Sequence, residues 1–378
     1  MSFKAGEYQK HFWKKEYEYE SFSPSPINKE LTIENQHVFL LVEEAMRLLG
    51  ELNAYSHLVP DVDYFIKMHV RNEAVKSSQI EGTKTDINEA LLPEEEIDPG
   101  RRDDWEEVQN YIEAMNWSIE ALDNLPVSMR LIKDAHKILL SGVRGEGKQP
   151  GEVRKMQNWI GGGSLKKAHY VPPHPDELSE LLRDFEYFWH NSELSLPTLV
   201  KIAISHYQFE SIHPFNDGNG RIGRLLITLQ LFERGILTKP TLYLSDFLEE
   251  NREDYYNSLM RVRTEDNLEQ WIAFFLRGVI ETARKGQDTF ENIVTFRQQC
   301  EEKIITLGKK APRGRGLLLH LFSDPTINVN DAAQILDVTY AAANGLLKDF
   351  EELGIVEEIT GHSRNRLFRM SEYVELFS

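Results

Sequence analysis

Apolar residues recur three and four positions apart through most of this chain, the spacing that places them on one face of a helix. The first clear case is "NQHVFLLVEEAMRLL", from Asn35 to Leu49. The next, "VDYFIKMHVRNEAVKSSQI", stops near Gly82, a residue free to take the backbone angles that end helices. Helical patterns return at 103–122, 128–140, 176–190, 197–209, 221–234, 248–260 and 267–285. Two stretches interrupt them. Residues 1–35, with "SFSPSPINKELT", predict an irregular arm. The stretch "EGKQPGEVRKMQNWIGGGSLKKAHYVPPHP" mixes glycines, prolines and β-formers and predicts a long loop with a small β-hairpin.

The character changes after about residue 286. A helix around 288–307 leads into "GKKAPRGRG", a basic linker candidate. Beyond it, "GLLLHLFSD", "NVNDAAQILDV" and "TYAAANGLLKDFEELG" predict three helices, and "IVEEITGHSRNRLFRM" two short strands around a turn at Gly361–Arg364. Three helices followed by a hairpin is the pattern of a winged helix-turn-helix. The fold class is therefore mainly α, a helical bundle decorated by one irregular flap and followed by a winged-helix segment. The division expected is 1–99 for the arm and first helices, 100–285 for the central domain, 286–311 for helix and linker, and 312–378 for the tail.

Composition narrows the function classes. With 41% apolar and 28% charged residues over 378 positions, the chain reads as a soluble globular protein. No run of eighteen apolar residues occurs, the N-terminus lacks an apolar signal region, and the single Cys300 excludes an intrachain disulfide framework. A cytoplasmic protein with no membrane partner is expected. The net charge of −18 argues against broad binding to phosphate backbones. A small basic pocket for one nucleotide remains compatible with it.

Such a pocket is written into "HPFNDGNGRIGR", from His213 to Arg224. Helical periodicity starts at Arg221, so Gly218, Asn219 and Gly220 lie just ahead of a helix N-terminus. Free N–H groups and the positive end of the helix dipole converge there, and glycines let an anion approach closely. Arg221 and Arg224 are three positions apart, neighbours on one helical face that can each pair with phosphate oxygens. Asp217 is an oxygen ligand suited to Mg²⁺, which commonly binds through one carboxylate plus substrate phosphates. His213 is a proton acceptor suited to neutral pH. Pro214 favours a bend after the preceding helix, and Phe215 is expected to anchor the loop in the core. The parts add up to a polyphosphate site.

At every defined position the stretch resembles the signature of Fic-domain proteins, H-P-F-x-[D/E]-G-N-G-R-x-x-R. The resemblance implies a helical Fic fold over roughly residues 100–285. It also implies transfer of AMP from ATP to a Ser, Thr or Tyr hydroxyl of a protein, with possible targets including the chain itself. His213 would be the general base, Asp217 the Mg²⁺ ligand, Gly218–Gly220 the anion hole, and Arg221 and Arg224 the phosphate clamps. "KKAHYVPPHP" resembles the flap along which an extended segment of the protein substrate pairs, near Tyr170–Pro173. In "YLSDFLEENREDYYNSLM", Asn251 would face the adenine, or serve as a helix cap.

"AVKSSQIEGT" carries a second signal. Ser77 and Glu81 are four apart on one helical face, with Gly82 next. They match the family's inhibitory motif, [S/T]-x-x-x-E-[G/N], whose glutamate pairs with the second arginine of the signature, here Arg224. An arginine so engaged cannot also clamp a γ-phosphate, which implies autoinhibition in cis. From Pro312 onward the tail has six Lys/Arg against ten Asp/Glu. DNA binding by this segment and a protein-interaction or dimerisation role both stay open. Rival functions are a Fic enzyme with another donor, AMP removal, and a nucleotide-sensing transcriptional regulator.

Overall fold

The structure, a computed structural model, describes residues 3–13, 17–58, 61–142, 146–362 and 364–377. The chain opens with an antiparallel hairpin, not an irregular arm: β1 (Gly6–Trp13) pairs with β2 (Tyr17–Pro24), Gly6 opposite Pro24. The alternation in "YEYESFS" carries it, since alternate residues share one face of a strand. Tyr19 and Ser21 are buried on that face and Phe22 on the opposite one, with Ala5 buried at the start of the hairpin. Pro24 and Pro26 terminate the hairpin; they do not dissolve it.

Five helices follow: α1 (Gln36–Leu58), α2 (Val62–Ile80), α3 (Ile87–Ala90), α4 (Arg102–Ala121) and α5 (Met129–Leu139). Local capping sets two of the starts. Asp86 accepts the Glu89 N–H to open α3, and Ser128 accepts the Leu131 N–H to open α5. After the flap come α6 (Leu178–His190), α7 (Thr198–Ile212), α8 (Asn219–Glu233), α9 (Ser245–Glu250), α10 (Arg252–Glu265) and α11 (Leu268–Ile305). Every residue of α7 from Leu199 to Ile212 is buried, which makes it the central rod of the bundle. Two of its polar side chains reach carbonyls: Lys201 donates to the Asn191 carbonyl at 2.6 Å and Gln208 to the Ser25 carbonyl at 3.1 Å.

Several boundaries differ from the sequence expectation. The helix expected over 248–260 is two, parted at Asn251. The helices expected at 267–285 and 288–307 are one of 38 residues. Gly286 does not break it, because the missing side chain is where Leu52 of α1 packs. The supposed linker is helical as well. Pro312 sits in the first turn of α12 (Ala311–Ser323), where a missing N–H costs nothing, and Gly314 is a contact point against Ile304. Among the described residues the flap contains no paired strands; a bridge, Ile160 with Tyr170, closes it. Pro172 and Pro173 lack the N–H groups that a second strand would need.

The tail holds α12, β3 (Thr326–Asn328), α13 (Val329–Ile335), α14 (Tyr340–Glu352), β4 (Glu357–Glu358), β5 (Leu367–Arg369) and α15 (Ser371–Glu375). Its strands form an antiparallel sheet in the order β3–β5–β4, with Thr326 and Glu357 both facing Arg369. The three expected helices and two expected strands are present, with β3 and α15 in addition. Ser363, in the expected turn at Gly361–Arg364, lies outside the described residues. This unit packs against α2, where Phe65 meets Phe322 and Tyr373 at ring distances of 5.1 and 6.4 Å.

Candidate active site

Between α7 and α8 the chain turns sharply. His213 ends α7 in the left-handed region, φ 50 and ψ 61. Pro214 disfavours a helical residue before it, and the unusual backbone costs about 1–2 kcal/mol for a residue with a Cβ. The turn is braced to hold that strain. Asn219 accepts the Phe215 N–H at 2.8 Å and donates to the Phe215 carbonyl at 2.9 Å. The Phe215 ring stacks on His136 at 3.8 Å. His136 Nδ1 accepts the Gly151 N–H at 2.8 Å, which leaves Nε2–H to donate to the Asp217 carbonyl at 3.0 Å. Gly218 then caps α8 with φ 72, a conformation glycine takes freely.

Glu81 lies at the α8 N-terminus, where the sequence reading puts an anion cradle. A Cβ placed on Gly220 would fall on the Glu81 carboxylate, so the missing side chain is what admits an anionic group here. Arg224 donates from Nη2 to Glu81 Oε1 at 2.7 Å and to the Ser77 carbonyl at 2.8 Å, and from Nε to Ser77 Oγ at 2.8 Å. Burial works against both charges and their attraction outweighs it. Glu81 is held below the usual carboxyl value, chiefly by Arg224 with help from Arg221 and His213, and Arg224 is raised, chiefly by Glu81. The Arg224 side chain is 1% exposed and that of Glu81 36%. The glutamate is therefore the half of the pair with a way out. A cavity of about 540 Å³ lined by Glu81, Thr83, Lys84, Arg101, Asp104 and Glu107 opens beside it.

Arg221 differs from Arg224. It is equally buried, yet its Nε and Nη1 make no hydrogen bond among the described residues; Glu107 lies 3.5 Å from Nη1 and Asp217 3.7 Å from Nη2. Asp217 is half-buried, accepts the Gly218 N–H at 2.7 Å and has Lys148 at 3.5 Å. His213 is half-buried, and burial together with the nearby Arg154 charge pushes its imidazole down to about 4. It is neutral at pH 7 and able to accept a proton.

Sequence reasoning missed four residues that build the site. Arg154, almost fully buried, donates to the carbonyls of His213 at 3.0 Å, Pro173 at 2.6 Å and Met156 at 3.2 Å, tying flap to turn. Asn158 donates to the Phe215 carbonyl at 2.9 Å. His136 supports the turn from α5. Glu210 is buried under Gly223, and burial pushes its carboxyl up to about 7. Its one visible signal was a glutamate inside an otherwise core-like helix.

Asn251 stands at the joint between α9 and α10, the helix-cap place that was its alternative reading, and donates to the Phe247 carbonyl at 2.9 Å; Tyr255 and Tyr256 of α10 lie within electrostatic reach of Arg224. Along Tyr170–Pro173 each carbonyl already accepts a bond, from Ile160, Phe22, Gln157 and Arg154 in turn. An incoming strand at Val171 therefore competes with the Phe22 N–H of β2.

The helical bundle's central turn brings together a histidine, a half-buried carboxylate and a helix N-terminus flanked by two arginines. The same fold occurs in a Fic family protein from Desulfovibrio desulfuricans, with TM-score 0.58 and 22% identity over 90% of this chain and 98% of that one. It occurs also in Fic-1 from C. elegans, with TM-score 0.53 and 21% identity over 67% of this chain and 73% of that one. Residues 39–120 match the family described as Fic/DOC family N-terminal, and residues 126–231 the Fic/DOC family. Over these segments the chain is similar to the Fic/DOC family. Protein adenylyltransferase Fic of Drosophila grimshawi is 27% identical over 295 residues, 73% of this chain and 56% of that protein. That of Aedes aegypti is 32% identical over 149 residues, 39% of this chain and 27% of that protein. The chain thus spans about half the length, or less, of the curated relatives it matches.

Proposed function

We propose that this chain is a protein adenylyltransferase that moves AMP from ATP to a protein hydroxyl and is restrained by its own Glu81. The observation that carries the reading is the anion cradle itself: a carboxylate, Glu81, already sits at the α8 N-terminus between Gly220 and Arg224, where a nucleotide phosphate would bind. Phosphate oxygens suit Arg221, whose buried N–H groups have bonds to give. Arg224 cannot join until Glu81 leaves. Asp217, half-open beside the cradle with Lys148 and Arg221 near it, fits a Mg²⁺ that takes its remaining ligands from phosphate and water. Bound there, Mg²⁺ would neutralise phosphate charge.

The residues of the chain supply positioning and proton transfer. The substrate hydroxyl oxygen attacks the α-phosphorus, the bond to the bridging oxygen breaks, and pyrophosphate leaves. Neutral His213 accepts the hydroxyl proton, and the free N–H groups of α8 hold the developing charge. The protein substrate reaches the site along the flap, displacing or bypassing β2 at Val171. The tail, with helices α12–α14 and its small sheet, reads as a winged helix-turn-helix. Its partner is DNA, another protein or a second copy of this chain. No helix among the described residues is long and apolar enough to cross a membrane, and with one cysteine in the sequence the place proposed is the cytoplasm.

The test uses ATP labelled at the α- or the γ-phosphate, with Mg²⁺ and lysate proteins as acceptors. Adenylyl transfer predicts covalent label from the α position only, lost with EDTA. Label from the γ position would replace the reading with phosphate transfer, and no label in any Glu81 variant would point to another donor.

A further inference from the structure

The brake residues sit on a segment that the tail grips from both sides. Ahead of them, α2 is packed against the C-terminal unit. Phe65 stands among Phe322 and Tyr373, His69 meets Phe377 at 4.9 Å, and Arg71 donates to the Ser323 carbonyl at 2.9 Å with Asp324 at 3.5 Å. Behind them, Arg369 of β5 donates to Asn88 twice, to Oδ1 at 2.9 Å and to the carbonyl at 3.2 Å. Asn88 lies in α3, six residues past Gly82. The turn between is short and bonded throughout. Gln79 donates to the Thr85 carbonyl at 3.1 Å, Thr83 to Glu107 at 2.9 Å, and the Lys84 N–H to Asp104 at 3.1 Å.

Arg369 is an expensive way to join two surfaces. It is buried to 9% exposure, and among the described residues its Nε has no hydrogen-bond partner. Its charge faces Glu357 and Asp86 at longer range. An apolar residue would serve adhesion better; a buried, doubly bonded guanidinium instead fixes one register between β5 and α3. That register sets where the turn at Glu81 lies.

We propose that Arg369 is a positioning residue for the Glu81 latch: through Asn88 it seats the C-terminal unit against the turn behind Glu81, so that the state of the tail reaches Arg224. The proposal rests on the reading of Glu81 as a brake. A conformational change that draws β5 away from α3 frees the turn, and Glu81 has an open cavity to move into. The tail then acts on the distant arginine through the short stretch of chain between Asn88 and Glu81, with no contact of its own to the phosphate cradle.

The test compares Arg369→Ala and Asn88→Ala in the full chain, alone and combined with Glu81→Gly. Hydrogen exchange over 76–84 should quicken about tenfold in both single variants, the loss of charge-assisted bonds to one site, while α7 and α8 stay protected. Labelling from α-labelled ATP should rise with either variant, and neither should add anything once Glu81 is gone. Unchanged exchange at 76–84 overturns the proposal. So does a rise in labelling that is equal with and without Glu81, since the effect would then bypass the latch. If Glu81→Gly itself takes no label, adenylyl transfer fails as the activity, and the exchange result still decides the coupling. Asn88 is exposed, so Asn88→Ala keeps the question answerable should Arg369→Ala not fold.

Discussion

The turn at 213–218 and the flap at 146–175 face the same site and are built in opposite ways. The turn hangs between two buried helices, and its strain at His213 is held by Asn219, Phe215 and His136. The flap has one bridge of its own and is held by side chains that reach out to carbonyls, Arg154, Gln157 and Asn158. On the proposed reading, the turn holds the proton acceptor and needs fixed geometry, whereas the flap faces the protein substrate and needs only to be tethered. Rigidity is supplied by helix packing in the one and by a few charged or amide donors in the other.

That contrast orders the expected effects. His213→Ala should lower labelling about 10²–10⁴-fold with little change in stability, the usual size of lost acid–base help. A loss under tenfold would mean that the turn positions substrate and transfers no proton. Arg154→Met should cost about 3 kcal/mol by denaturant unfolding, because three carbonyls lose their donor inside the protein. Its activity loss should exceed its stability loss, since the same guanidinium joins flap to turn. Asn158→Ala, which cuts one bond between them, should cost about 1 kcal/mol. Equal costs for the two would erase the distinction between a central strut and a peripheral tie.

The smallest effect concerns Glu210 beneath the turn. Burial holds its proton up to about pH 7, whereas the unfolded chain releases it near 4.5. Between those values the folded state binds more protons, so this group costs stability as pH rises through the window and nothing below it. Glu210→Gln should therefore gain a few degrees of Tm over wild type between pH 5 and pH 8. A constant difference across that range would mean that Glu210 is ionised throughout.

The same contrast explains what the sequence disclosed. Helices α2, α5, α7 and α8 announce themselves because burial on one face imposes a helical period, and the 213–224 residues stand out because a core has no use for them. The contact of Ser77 and Glu81 with Arg224 was legible as spacing once the signature was recognised by resemblance. Arg154 was not legible, because nothing local marks a surface-type residue whose partners are carbonyls twenty and sixty positions away. Gly286 and Pro312 misled for a related reason. Each looks like a break, and whether it is one depends on Leu52 or on helix position, which are tertiary facts. The β1–β2 hairpin was hidden by the serines and prolines at its end, although its alternation was visible.

The central claim is that Glu81 occupies the phosphate cradle and withholds Arg224. The most direct measurement is the rate of label transfer from α-labelled ATP by wild type, Glu81→Gly and Glu81→Gly/His213→Ala, each with Mg²⁺ and acceptor proteins. The account predicts weak transfer by wild type, a rise of at least about tenfold in the single variant and its loss in the double. A Glu81→Gly chain no faster than wild type, under conditions where wild type transfers label, would contradict it.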